Sequence, residues 1–337
     1  MAKSRLVAPL SILLFMVLIL IFPAYYMESA RKSLGVFATS VLPALFPFVF
    51  LTTVLTKTGI VEDVARVFEM PFKKLFGVCP LGAYVVFSAL VCGYPVGAIT
   101  LSSLYENGSL STEDVKRIVP ISSMVGPVFV LGTLGSVLGD GRIAVIVLAS
   151  HYVATLLNGV LWKGVNNSRL SRARTRDNKI KGAWELKNQT ELQSLRSSNN
   201  LSIAPISTAI GDSVSRTALS MLSVGGYILL GGLLVDTISL VPALYSLPNE
   251  FGAITYGLIE MTRGVIASQG ITSITLKTAV ATFVVTLGGV SVALQSHHFL
   301  SRCGVTIFDI ILPKITQGIM AFLTAEIFSN LFFNILA

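Results

Sequence analysis

Residues 81–105 read LGAYVVFSALVCGYPVGAITLSSLY. The run is apolar on both sides of Cys92-Gly93-Tyr94-Pro95-Val96-Gly97, a stretch that interrupts any straight helix. Proline removes a backbone donor and glycine admits a sharp turn. A second run, Phe251 to Ile274, is short of apolar residues for a full membrane span and is broken at Glu260-Met261-Thr262-Arg263-Gly264. Whether these two runs cross a membrane or turn back inside it decides the fold.

The membrane itself follows from composition. The chain has 337 residues, 53% hydrophobic and 12% charged, against about 25% charged in soluble domains. Mean hydropathy is +0.76. These values exclude a disordered chain, a disulfide scaffold and an ordinary soluble enzyme, and predict a polytopic all-α membrane protein embedded in a lipid bilayer. The net charge of +8 lies mostly beside hydrophobic segments; it reads as an orientation signal, and no nucleic-acid partner is expected. Cys79, Cys92 and Cys303 have neither disulfide nor metal-ligand spacing, and His297-His298 has too few partners for a metal site, so no metal and no cofactor are expected.

The other segments fall on either side of the two interrupted runs. Leu6–Phe22 is read as a retained first helix and not a cleaved signal, because Pro23-Ala24-Tyr25-Tyr26 is a poor cleavage site. Val36–Thr56 is a second helix, and Val61–Phe76 is amphipathic and suited to the interface. Val115–Leu138 is broken at Ser122-Ser123-Met124-Val125-Gly126-Pro127, and Ile143–Trp162 is cleaner. Lys163–Asn200 is polar and reads as a mobile loop. Then come Ile206–Val235, Leu276–Leu300 broken at Gly288-Gly289-Val290-Ser291, and Ile307–Leu336 interrupted by Pro313-Lys314. The division is therefore 1–30 for the N-terminal helix, 31–163 and 205–337 for two repeats, and 164–204 for the loop.

The two halves share an order of elements and breaks. Gly93 matches Glu260 and Gly126 matches Gly288, at offsets of 167 and 162 residues. Paired interrupted segments in two halves are a signature of secondary transporters. Charge selects the threading. If every segment spans, 8 Lys and Arg lie inside and 15 outside, leaving out Arg263 and Lys314. If Leu81–Tyr105 and Phe251–Ile274 are re-entrant hairpins, the count becomes 19 inside and 4 outside, as the positive-inside rule requires. The expected architecture is an inverted repeat with seven spans, two opposed hairpins and two broken helices, with the N-terminus and the 164–204 loop cytoplasmic.

Non-helical backbone at membrane depth must be buried or line a cavity, and half-helix N-termini there suit anionic groups. The candidate substrate site is Gly93, Tyr94, Pro95 and Gly97 on the first tip, and Glu260, Thr262 and Arg263 on the second. Ser122, Ser123, Gly126, Gly288, Gly289, Ser291 and Gln295 at the helix breaks complete it. A membrane carboxylate is a functional candidate by default; its bland alternative is a pair with Arg263. His151 reads as a lone neutral histidine, and Lys314 as a side chain that snorkels to the surface. No GxxxxGK[ST], HExxH or GxSxG motif occurs, so no enzymatic activity is expected.

Ser40-Val41-Leu42-Pro43-Ala44-Leu45-Phe46-Pro47-Phe48, Cys92-Gly93-Tyr94-Pro95-Val96-Gly97-Ala98, Gly257–Gly264 and Gly288–Gln295 resemble the YlbJ family of sporulation integral membrane proteins. That family belongs to the Gate, or nucleoside-recognition, group. The resemblance implies a fold similar to the concentrative nucleoside transporters and passage of dipicolinic acid across a cell or forespore membrane of a spore-forming bacterium. The hairpins lack the Gln/Asn-Thr-Glu pattern of nucleoside transporters, so nucleoside specificity and a sodium site do not carry over. The expected partner is a small-molecule anion. The alternatives are a nucleoside or other small-solute transporter, or a membrane scaffold acting through the basic loop; homo-oligomerisation is left open.

Overall fold

The computed structural model describes residues 2–57, 61–177, 206–242 and 247–335. Among these residues the regular structure is helical throughout. Helix α1 (Ala2–Ile21) is followed after Phe22 by α2 (Pro23–Val36), a π turn (Phe37–Val41) and α3 (Leu42–Lys57). Pro23 begins α2 at the first helical position, where the missing N–H costs nothing. The expected start at Val36 is thus too late: Pro23–Thr56 runs as one apolar helix of 34 residues, with Arg31 and Lys32 on it. The apolar part of α1, Pro9–Ile21, is short for a span.

Helix α4 (Val61–Phe76) is the amphipathic element. Its end, Met70–Phe76, joins α5 (Pro80–Cys92) at a bend of 92°. Beyond Gly93-Tyr94-Pro95 comes α6 (Val96–Glu106). The two halves fold back on each other: a Cβ on Gly97 would lie 3.2 Å from Cβ of Ala89. Helix α7 (Thr112–Ser122) starts in a capping box of Ser111 and Asp114 and stops at the expected break. A π segment (Phe129–Leu134) and the short α8 (Gly135–Leu138) follow.

Helix α9 (Gly141–Asp177) continues well past the expected end at Lys163, so the first part of the polar stretch is helical. The remainder of the loop, 178–205, lies outside the described residues. Helix α10 (Ile206–Ile238) runs unbroken through Gly225-Gly226 and Gly231-Gly232. Gly225, Gly231 and Gly232 are packing notches, whereas Gly226 faces open space: a Cβ on Gly231 would lie 2.9 Å from Cγ of Glu260. The second hairpin is α11 (Asn249–Ile259) and α12 (Met261–Ser268), turning at Glu260. Gly264 packs directly on the backbone of Gly257, its counterpart across the turn.

Helix α13 (Ile274–Leu287) breaks at Gly288 and resumes as α14 (Gly289–Leu300). Helix α15 (Ile307–Asn330) is continuous through Pro313, correcting the expected interruption there. Among the described residues five helices are long and apolar enough to cross a membrane, or six if the bent α4–α5 pair is one span; the sequence predicts seven. Large apolar side chains face outward, with Leu219 67% and Leu222 68% exposed. Water disfavours such a surface and a bilayer provides its solvent. The inner core joins the first tip (Tyr94, Val96), the first broken helix (Val125, Phe129), the second tip (Met261, Val265) and the second broken helix (Val285, Val292) in one cluster.

Candidate functional site

Each helix that stops inside the bundle leaves four carbonyls or four N–H groups without intrahelical partners. In lipid each unsatisfied group costs several kcal/mol. Where those groups find partners is the central question of the site.

At the first tip Gly93 has φ +83°, a conformation side chains rarely adopt, and the Tyr94-Pro95 peptide is cis. Gly93 lies against the backbone of Gly126, and the Tyr94 N–H donates to the Met124 carbonyl at 2.6 Å. The first tip is thus docked onto the first broken helix by backbone alone. The Tyr94 hydroxyl then reaches the other half, where it donates to Val285 O at 3.0 Å and to Met261 Sδ at 2.7 Å.

Val285 belongs to the last turn of α13, whose carbonyls are freed by the break. The Gly288 N–H bonds Val284 O, Tyr94 bonds Val285 O, and Lys314 Nζ bonds Thr286 O at 2.9 Å. Lys314 also donates to Ser123 O, at 2.8 Å, in the break after α7. Its ammonium stands 4.9 Å from the centre of the Tyr94 ring. The side chain is 3% exposed, so Lys314 does not snorkel.

His151, fully buried on α9, forms the second bridge between the breaks. Its Nε2 accepts from the Val125 N–H at 3.0 Å. A nitrogen that accepts carries no proton, so Nδ1 holds the hydrogen and donates to Thr286 Oγ1 at 2.9 Å. The histidine is neutral as expected, but it is no isolated group: it ties α9 to both broken helices.

At the second tip Glu260 acts as the N-cap of α12. Its carboxylate accepts from the Thr262 N–H at 3.1 Å and from the Arg263 N–H at 2.9 Å. The helix end expected to receive a substrate anion is already occupied by the protein's own carboxylate. Arg263 donates to Asp236 Oδ2 on α10 at 2.9 Å. Its partner is therefore Asp236, not Glu260, and its guanidinium is engaged.

Tyr94, Gly126, Glu260, Thr262, Ser291 and Gln295 line one central cavity of about 40 Å³, with Val41, Leu45, Met261 and Val292 among its apolar walls. That volume is close to the share of one water molecule, about 30 Å³. Ser291 Oγ donates to Tyr227 O at 2.9 Å. Gln295 is 3% exposed and its Nε2 is an unpaired donor. Ser122 and Ser123 line a smaller hollow behind Tyr94. Gly97, Gly288 and Gly289 serve the backbone: Gly97 packs on Ser122, and Gly289 on Gly257 and Ile259. Pro95 is the N-cap of α6 and does not line the cavity.

A larger hollow of about 280 Å³ is lined by Thr52, Thr56, Arg216, His298 and Arg302, among others. Arg302 lies 3.7 Å from Glu106, which lines the same space. The sequence reading missed this vestibule because its residues come from four separate segments. Among the described residues no group of three His, Cys, Asp or Glu side chains is placed to hold a metal ion.

Two helical hairpins meeting two broken helices inside an apolar helical bundle define a multi-pass membrane protein with irregular backbone around a central site. A comparison with known proteins adds a particular relative. The chain is 22% identical over 319 residues to the sporulation integral membrane protein YlbJ of Bacillus subtilis (strain 168), a match covering 89% of this chain and 76% of that protein. This similarity supports membership of the YlbJ family. No family model and no solved structure matches it.

Proposed function

We propose that the protein is a secondary transporter or channel-like permease for a small organic anion, and not an enzyme. The observation that carries this reading is the convergence of four helix breaks on one cavity, with the unpaired Gln295 donor in its wall. Convergent breaks are costly in a membrane and are tolerated where they line a path. The separate larger hollow carries Arg216 and Arg302, charges of the sign that attracts anions.

The reading includes an inverted repeat with the two hairpins re-entrant from opposite faces, as in the concentrative nucleoside transporters. Contacts between equivalent positions support it. Tyr94 and Met261 touch at an offset of 167 residues, and Gln317 bonds Thr155 at an offset of 162. Equivalent residues meet where a pseudo-two-fold axis passes between them. The charge count supports a cytoplasmic N-terminus and a cytoplasmic 164–204 loop.

By family resemblance the substrate is dipicolinate, carried during spore formation across a cell or forespore membrane. The cavity is too small for a dicarboxylate as it stands, so loading requires the two tips to separate. The test is uptake of labelled pyridine-2,6-dicarboxylate into vesicles carrying the purified protein, with uridine as competitor. Saturable uptake, unaffected by uridine, is expected. Absence of flux for this and other small dicarboxylates overturns the proposal.

A further inference from the structure

Lys314 has the surroundings of a bound cation. Its ammonium sits between the carbonyls of Ser123 and Thr286, at 2.8 and 2.9 Å. Those carbonyls lie at the C-terminal ends of α7 and α13, where the helix dipoles place negative charge. The face of the Tyr94 ring, 4.9 Å away, completes the set. Among the described residues Lys314 forms no ion pair with a carboxylate. The neighbouring imidazole, His151, accepts from the Val125 N–H and is neutral. Nothing but backbone oxygen, helix ends and a ring face balances the lysine.

Two backbone carbonyls from opposed helix ends and an aromatic face form the donor set of a small monovalent cation or a primary ammonium. Unwound carbonyls and half-helix C-termini bind such ions in membrane proteins. Position in the chain points the same way: Lys314 and His151 are 163 residues apart, inside the 162–167 range that relates the two halves. Each reaches from its own continuous helix to both breaks, one binding two carbonyls and the other an N–H and a hydroxyl.

We propose that the Lys314 ammonium is a built-in cation joining the two broken helices, so that the junction takes no sodium or potassium in the intact protein and becomes a binding site for a small primary ammonium once the side chain is shortened. The inference concerns the junction alone and does not depend on what the protein carries.

Thermal unfolding of the purified protein in micelles tests it at fixed ionic strength in choline, sodium, potassium and n-propylammonium chlorides, with 1-propanol as the uncharged control. The intact protein is expected to melt within about 1 °C in all of them. Lys314→Ala is expected to melt at least about 5 °C lower and to regain most of that loss with n-propylammonium but not with 1-propanol. Lys314→Met, which fills the space without charge or donors, is expected to stay destabilised in every salt. Equal recovery by propanol, or a Lys314→Met protein that melts like the parent, overturns the proposal. So does a specific sodium or potassium stabilisation of the intact protein, an arm that requires no variant to fold.

Discussion

Replacing His151 with Phe tests whether side chains on the continuous helices hold the breaks in place. The substitution keeps the volume and aromatic packing of a fully buried position and removes two hydrogen bonds. The Val125 N–H, on a residue 2% exposed, is left without an acceptor. An orphaned buried donor costs about 1–3 kcal/mol. The bond to Thr286 is a side-chain pair within a membrane bundle, worth about 0.6 kcal/mol on average. The expected loss is therefore about 2–4 kcal/mol. Denaturant unfolding in mixed micelles measures it, and a double-mutant cycle apportions it. Thr286→Val alone leaves the buried Nδ1–H without its acceptor and should cost about 1–3 kcal/mol, but almost nothing in the His151→Phe background, since its partner is gone. His151→Gln, whose amide oxygen can accept from Val125, should recover much of the loss. A His151→Phe protein within about 0.5 kcal/mol of the parent, or single effects that simply add, refutes the reasoning.

Other outcomes follow from the same geometry. Gly126→Ala places a Cβ 2.6 Å from the Cys92 carbonyl, and thermal melting should show a loss of about 1–3 kcal/mol, because backbone on both sides cannot yield. Glu260→Gln keeps one acceptor for the α12 N–H groups and removes a negative charge from the cavity wall. Titration calorimetry with pyridine-2,6-dicarboxylate should show tighter binding, about thirtyfold for a repulsion of about 2 kcal/mol between carboxylates roughly 7–8 Å apart at an effective dielectric of about 20; unchanged affinity would place the ligand elsewhere. A single cysteine introduced at Ser171 should resist an impermeant thiol reagent in sealed cells, and ready labelling would reverse the threading.

The positions of the breaks were legible because glycine and proline leave a local chemical mark: Gly93, Gly126, Glu260 and Gly288 all stand where helices end or restart. Proline was a poorer guide within α15. There Pro313 removes one backbone donor, the N–H that would bond the carbonyl four residues earlier, and the helix runs on. Membrane helices tolerate proline where neighbours re-satisfy the freed group, and such neighbours are separated in sequence. Spacing misled at the second tip for a related reason. Three residues apart on a helix, Glu260 and Arg263 look like a pair. Glu260 precedes its helix, however, and finds backbone N–H groups first, while Arg263 turns to a residue 27 positions upstream. Taken singly, Lys314 and His151 carry little signal in the sequence; their separation of 163 residues falls within the 162–167 offsets of the paired breaks.

These placements also bear on where an anion can sit. The N-terminus of α12 is spoken for, because Glu260 supplies its own carboxylate to the first free N–H groups. Arg263 is held by Asp236. What remains around the cavity is the start of α14, which has no side-chain cap, and the unpaired amide of Gln295 further along the same helix. Behind Tyr94 stands the positive charge of Lys314. A carboxylate in the cavity would therefore meet an uncapped helix end and a free amide donor on one side, with Lys314 screened behind the Tyr94 ring, and a resident carboxylate on the other. Under the proposed anion-permease reading, full loading with a doubly charged ligand would require that Glu260 either take a proton or give up its place on α12. Either event would weaken the charged cap on the second tip, and so would link arrival of the anion to the separation of the tips.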